Sequence, residues 1–321
     1  MLALRVDPWA PDHGMGFEAA AIDEPPATAD PEVETTDWSE PIVPAQGPRG
    51  PVSFVDGVRR VELRLLAYAP DGTPGRGLFG SFAVGAVHCD ARASFGEEHE
   101  IGRVLVVGSG LRPDPVEVAL GGTRLRYRPA TEAGDDPDLP LLGLQKIMQA
   151  HEERLAERLA AVEGRFVLAD GRLGFLSPSA SPVVGVVKRF ARAYLEPSRD
   201  ALLGLLGPGE RTPLFLLSDP TAGHDRFSWY VRLVALRPPW HDHAGIVRCE
   251  VRAGVGLEAA RRLADEVTAF LPGFAGRPSD PRFPQNLAPV ASLESWLQHR
   301  MGSRALVRRT LTAWLTEQGA A

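Results

Sequence analysis

Apolar and polar positions follow two different periods along this chain, and the switch between them marks out its elements. From Val52 to Ala67 the sequence VSFVDGVRRVELRLLA holds two β-rich runs separated by Asp56-Gly57, a pair that favours a tight turn between strands. Leu78–His88 is small and apolar, as a buried neighbouring strand would be, and Arg103–Val107 and Val116–Arg128 are two further strand-like runs. Beyond the linker DDPDLP the period becomes helical. Leu144, Ile147, Met148, His151, Leu155, Leu159 and Val162 share one face, which predicts an amphipathic helix over 141–163. That helix runs into a strand over 165–170, closed by Asp170-Gly171, and Val183–Val187 is a further buried strand. A short helix over 198–206, strands near 213–217, 228–236 and 246–252, and helices near 257–271, 288–300 and 303–317 complete the pattern. Strands in a meander, then a helix, then strands alternating with helices predict an α/β protein with a mixed sheet flanked by helices, C-terminal ones included.

The N-terminus has a different character. Residues 17–48 are rich in Pro, Ala, Asp and Glu and show neither period, which predicts an extended or disordered acidic arm. Ahead of it, Leu2, Leu4, Val6 and Trp9 alternate as a short strand would. The predicted plan is therefore a strand and flexible arm over 1–48 and a folded domain over 49–321. An apolar tip on a charged tether, over about residues 1–15, can dock on a partner by strand addition or insertion, or can fold back on the edge of its own sheet.

Charge sharpens this division. Residues 1–48 carry ten acids against Arg5 alone, a net −9, which leaves +3 for the other 273 residues. An acidic arm on a mildly basic body is compatible with nucleic-acid binding through local patches. No run of about 18 apolar residues occurs, and the N-terminus lacks the apolar stretch of a signal peptide, so a cytoplasmic location without membrane contact is expected. The two cysteines, Cys89 and Cys249, lie far apart in apolar runs and are expected to be buried small hydrophobes rather than zinc ligands or a disulfide.

The candidate chemistry is acidic. FVDG at 54–57 and LADG at 168–171 are expected to end two strands with a carboxylate followed by a glycine, and adjacent strands of this kind can converge on one pocket. Asp56 and Asp170 are then hard oxygen ligands suited to Mg²⁺ or Mn²⁺, in a site of two ions. Each Asp-Gly is equally a turn signal. Glu152 lies on the apolar stripe of the long helix between Met148 and Leu155, where a metal or an arginine must compensate its charge; Glu153 and Glu157 are expected on the outer, solvated face. Lys188 ends the strand 183–187. It is one of two lysines among 35 basic residues, and a compact point charge there suits a phosphate, or simply caps the strand.

Other constellations carry less. Gly108-Ser-Gly110 follows a strand, but Pro113 and Pro115 exclude the helix that a dinucleotide loop needs. His241, Asp242 and His243 read as a polar hairpin loop. No serine-hydrolase elbow, Cys-His pair or Walker loop is present.

Taken in order, DGVRR (56–60), the long helix feeding LADGRLGF (168–175), VVGVVKR (183–189), WYVRL (229–233) and DPRFPQNLAPVASLE (280–294) resemble the NurA nuclease family over roughly residues 50–310. The resemblance implies a ribonuclease H-like fold, which the element order also suggests. It implies a homodimer, Mn²⁺-dependent endo- and exonuclease activity on DNA ends, and partnership with a hexameric HerA-type ATPase in end resection. Asp56 and Asp170 match the family's strand aspartates and Glu152 its helix glutamate. Where the archaeal members show Tyr-Pro and a metal-binding histidine, this chain has Phe283-Pro284 and Ser292 or Leu293, so the fourth ligand falls to Asn286, Glu294 or Asp280, unless Glu294 only makes a helix-surface salt bridge. The rival classes are a non-catalytic interaction subunit of a DNA-processing ATPase and a small-molecule phosphohydrolase. For a dimer, the stripes Val290, Leu293, Leu297 and Leu306, Trp314, Leu315 could serve either the core or an interface.

Overall fold

The computed structural model describes residues 2–6, 27–45, 50–173, 181–188, 193–218, 225–235, 240–280 and 282–320. Its strands are β1 (Ala3–Val6), β2 (Thr28–Asp30), β3 (Val52–Tyr68), β4 (Pro74–Cys89), β5 (Ala93–Phe95), β6 (Glu100–Val107), β7 (Val116–Leu120), β8 (Thr123–Thr131), β9 (Phe166–Asp170), β10 (Val183–Val187), β11 (Phe215–Ser218), β12 (Arg226–Arg232) and β13 (Ile246–Arg252). Its helices are α1 (Leu139–Ala160), α2 (Pro197–Asp200), α3 (Leu202–Leu205), α4 (Leu257–Phe270), α5 (Ala288–Arg300) and α6 (Arg304–Ala320). The strands form one mixed sheet in the order β2-β11-β12-β13-β10-β9-β3-β4-β6-β8-β7, with β1 also on β3 and β5 on β4. Pairing is parallel between β3 and β9, β9 and β10, and β6 and β8, and antiparallel elsewhere. This is the predicted α/β class, with helices on the sheet and three of them at the C-terminus. None of the described helices is long and apolar enough to cross a membrane.

Alternating side chains send two sets of apolar groups to opposite faces of the sheet. Val55, Val84, Val106, Val167 and Val183 meet Leu144, Met148, Leu155 and Leu159 of α1. Phe54, Val58, Ala83, Leu168 and Val184 meet α4 and the Val290, Leu293 and Leu297 stripe of α5. The far end of β3 and β4 packs on Val307, Leu311 and Leu315 of α6, with Trp314 at its border. The α5 stripe is therefore committed to the core, as are Leu315 and in part Trp314, while Leu306 stays 39% exposed. Cys89 and Cys249 are buried, as expected, and are not joined to each other.

Two turn expectations change. Asp56-Gly57 makes no hairpin: β3 continues through it, pairing with β4 from Val52↔Cys89 to Tyr68↔Pro74. The turn is made by a different pair, Asp71-Gly72, where Gly72 has φ +88° and Ala69 and Thr73 close the loop. Both strands keep alternating beyond Asp56, so a bend there would break the whole β3–β4 ladder. Conversely, the single run expected over 116–128 is two strands, β7 and β8, joined at Gly121-Gly122.

The acidic arm is also revised. Residues 27–45 are folded onto the sheet: β2 pairs with β11, Ile42 bridges Arg211, and Trp38 is buried with its indole nitrogen donating to Pro31 O at 3.0 Å. Glu34 anchors the segment, because both its oxygens accept from Arg211 at 2.8 and 2.9 Å and the Leu214 amide adds a bond of 2.6 Å. One specific buried ion pair thus holds a stretch that composition alone makes too polar to pack. Strand β1 folds back on β3, from Ala3↔Tyr68 to Val6↔Leu65, which removes residues 3–6 from the docking tip considered over 1–15. The remainder of that tip, Trp9 included, lies outside the described residues.

Glu34 and Arg211 are 3% and 2% exposed, so Glu34→Ala leaves a buried guanidinium with Asp265 as its remaining carboxylate partner and is expected to cost about 3 kcal/mol. Burial raises the Glu34 carboxyl, but the Arg211 bonds and charge outweigh it and hold the group below its ordinary value. Its stabilisation is therefore present above the unfolded value of 4.5 and lost as pH falls through the lower folded one. Chemical denaturation of Glu34→Gln should show a large loss at pH 7 that shrinks at acid pH. Deletion of residues 1–45 should lower the melting temperature; unchanged melting would refute the packing described.

Candidate metal centre

The site forms where the sheet opens. β9 follows β3 from Val52↔Phe166 only as far as Val55↔Ala169. Asp170 ends β9, Gly171 turns away with φ +97°, and β3 runs on with β4. Asp56 is therefore a mid-strand residue beside a strand that has just stopped, rather than a second strand end. Helices reach this opening from both faces: α1 supplies Glu152 and α5 supplies Glu294.

One oxygen each from Asp56, Asp170 and Glu294 lies within 4.8 Å of the others. Glu152 is outside that trio but lines the same cavity, of about 460 Å³, with Arg59, Arg172 and Arg252 also on its wall. Gly57 is what lets α1 come so close. A Cβ there would sit 2.6 Å from Glu152 Oε1 and 3.1 Å from Met148 Cγ.

Several bonds compensate the negative charge. Lys188 Nζ is 2.8 Å from Asp170 Oδ1 and donates to Asn286 Oδ1 at 3.0 Å. Asn286, 1% exposed, donates in turn to Asp280 Oδ2 at 2.9 Å. Arg282 grips both oxygens of Glu294, one at 2.7 Å. Asp56 Oδ1 accepts from the Gly57 amide at 2.8 Å, whereas its Oδ2 is buried without a hydrogen-bond partner. Burial, then the charges of Asp170 and Glu152, push the Asp56 carboxyl well above its ordinary value despite Lys188. Burial and Asp170 push Glu152 up to about 8, against the Gly57 amide. An orphaned buried carboxylate oxygen among hard oxygen donors fits a divalent cation of the Mg²⁺ or Mn²⁺ type. The trio shows a place for an ion and does not fix its identity.

Among the sequence candidates, Asp56 and Asp170 come together, Glu152 joins their cavity, and Lys188 bonds directly to Asp170. Glu294 has both the roles considered for it, in the trio and in an ion pair. Asn286 accepts from Lys188, and Asp280 stands behind Asn286. Glu153 was expected in solvent; it is 13% exposed, lines the cavity and pairs with Arg252 at 3.2 Å. Glu157, placed beside it on the outer face, lines the same cavity. Helical spacing around Glu153 carried no sign of a partner 99 residues away. Arg59 and Arg282 were also missed, although each lies within a few residues of Asp56 or Asp280. His241 and His243 join no metal-binding cluster among the described residues.

Because Asp56 and Glu152 ionise at higher pH in the folded chain than in an unfolded one, they keep protons that an unfolded chain releases. The Glu152 contribution is complete below about pH 4.5 and is lost as pH rises through about 8, and that of Asp56 is lost in the same direction. In EDTA, the stability difference between Glu152→Gln and wild type should therefore shift in favour of the variant from about pH 5 to pH 8, and Mn²⁺ should reverse it. A difference independent of pH and of Mn²⁺ would contradict the site described. In comparisons with known proteins, no family model and no curated protein matches the chain, so the chemistry of the site rests on these residues themselves.

Proposed function

We propose that this protein is a metal-dependent deoxyribonuclease with a ribonuclease H-like core, acting on DNA ends as the resemblance to NurA nucleases implies. The observation that carries the reading is the trio Asp56, Asp170 and Glu294 around the unpartnered Asp56 Oδ2. Further support comes from strand order: β6-β4-β3 antiparallel, then β9 and β10 parallel to β3, with α1 ahead of β9. That is the order expected of a ribonuclease H-like sheet.

Asp56, Asp170 and Glu294 would hold one Mn²⁺ or Mg²⁺, and Glu152 with Asp56 a second. Bound ions of this kind supply charge for the phosphoryl oxygens and a water that ionises near neutral pH. The chain's own residues do the rest. Lys188, steadied by Asn286, brings a compact positive charge to the cluster, and Arg59 and Arg252 on the wall offer guanidinium groups to a phosphodiester entering the cavity. The narrow wall between α1 and Gly57 fixes Glu152, so the ligand geometry is set before substrate arrives.

With linear DNA and Mn²⁺, Asp56→Ala and Asp170→Ala are expected to lose cleavage by more than about a hundredfold while folding normally, since outer-shell changes alone give 10–100-fold. Cleavage at wild-type rates would sink the assignment.

A non-catalytic subunit is the second reading. It is favoured by the fact that Asp170 and Glu294 already have cationic partners, Lys188 and Arg282. Titration calorimetry separates the two: Mn²⁺ binding that disappears in Asp170→Ala supports the nuclease, and none at all supports the scaffold. A HerA-type ATPase partner and a homodimer follow from the resemblance. With the α5 stripe used by the core, a dimer would have to use other surface, and a monomer in sedimentation at micromolar concentration would count against it.

A further inference from the structure

A second opening in the sheet lies on the other side of α1. β6 and β8 pair only from Val104↔Arg128 to Val107↔Thr131. Before that point β8 follows β7, and Glu100–Arg103 of β6 follows β4, so the two strands part around a cleft of about 570 Å³. Met148 and Glu152 of α1 line the metal cavity, while Ile147 and His151, one helical step away, line this cleft.

Its lining is dominated by one charge. Arg103, Arg124, Arg126, Arg128 and Arg300 face it against a single acid, Glu100, which is itself bonded to His151 at 2.8 Å. Arg124 and Arg126 share Glu117. Arg103 donates to Ser81 Oγ and Met301 O, and Arg300 donates to His99 and lies over the Trp296 ring. Among the described residues, no carboxylate pairs with Arg103, Arg128 or Arg300. Alternation along β8 buries Leu125 and Tyr127 and exposes Arg124, Arg126 and Arg128 on one face, at intervals of about 6.7 Å. A row of evenly spaced guanidinium groups, in which Arg124 and Arg126 have one acid between them and Arg128 has none, suits a run of phosphates, each able to take a forked pair of hydrogen bonds.

We propose that this cleft binds the sugar–phosphate backbone of single-stranded DNA. A cleft of about 570 Å³ between two strands of one sheet has room for a short stretch of a single chain, whereas a duplex would lie across its mouth. The choice of nucleic acid rests on the nuclease reading of the neighbouring cavity; the anion preference rests on the arginines.

The test is fluorescence anisotropy of a labelled oligothymidylate with the full-length protein in EDTA, over a range of salt. Arg128→Ala/Arg300→Ala should weaken binding about tenfold and lower the salt slope by about 1.4, the value for two single-strand phosphate contacts. Glu117→Gln, which releases Arg124 and Arg126, should tighten binding. The charge-matched control Arg92→Ala/Arg262→Ala should do neither. Wild-type affinity in the cleft variant, an equal loss in the control, tighter binding of a duplex, or displacement by equimolar thymidine monophosphate would each overturn the proposal. Should Arg300→Ala disturb folding, Arg128→Glu alone carries the same expectation. Oligothymidylate binding by a wild-type protein that cuts no DNA with Mn²⁺ would leave the cleft standing and remove the nuclease reading; wild-type cleavage without the cleft effect would do the reverse.

Discussion

Like charge gathered away from water is the constraint around which the rest of this structure is arranged. Asp56, Glu152, Asp170 and Glu294 border one cavity, and each ionised carboxylate withdrawn from solvent costs several kcal/mol unless it is compensated. Lys188 answers Asp170, Arg282 answers Glu294, and the Gly57 amide supports Asp56 on one oxygen. Compensation stops short of Asp56 Oδ2. The raised Asp56 and Glu152 carboxyls answer this by holding protons, and the acidic trio offers a place for a cation. For packing alone, apolar replacements of the same size would serve as well as or better than such a cluster.

Geometry follows from the same place. Were β9 as long as β3, a hydrogen-bonded neighbour would cover Asp56 and no cavity would exist. Because β9 stops at Asp170, α1 and α5, which cover opposite faces of the sheet, can both direct a carboxylate to its open edge. A rigid base then holds each ligand: Leu293 and Leu297 fix α5, and Met148 and Leu155 fix α1. Side chains carried on packed helices and strands are placed more precisely than side chains on loops.

Much of this was legible in the sequence because period carries face. The 3.6 repeat of α1 located Glu152 on the inward stripe, and the apolar run 183–187 located Lys188 at a strand end. Asp-Gly pairs misled, since the dipeptide has the same local preference whether or not the flanking runs continue as one strand. Only pairing across the sheet distinguishes Asp56-Gly57 from Asp71-Gly72. Glu34 was invisible for a related reason. Its partner Arg211 is 177 residues away, and composition counts it among the charges that argue against packing. Pairings of such long range leave no periodic trace, which is also why Glu153 with Arg252 was not foreseen, whereas a salt bridge for Glu294 was considered and only its partner Arg282 was not named.

The near absence of lysine makes sense in these terms. Arginine here acts as a cross-linker with a fixed fork. Arg232 donates to the carbonyls of Leu203, Leu206, Asp242 and Ala244, and Arg211 to Glu34, Asp265 and Thr212 O, each tying several segments together. A planar group with five donors is suited to that task, and an ammonium is not. The demand at the carboxylate cluster is the opposite one. A charge there must fit between Asp170 and Asn286, which a compact group on a flexible stem can do. Lys146, the other lysine, only meets Glu132 at the surface. The one buried-edge lysine therefore stands where a compact point charge fits, and the arginines stand where the fold needs fixed ties.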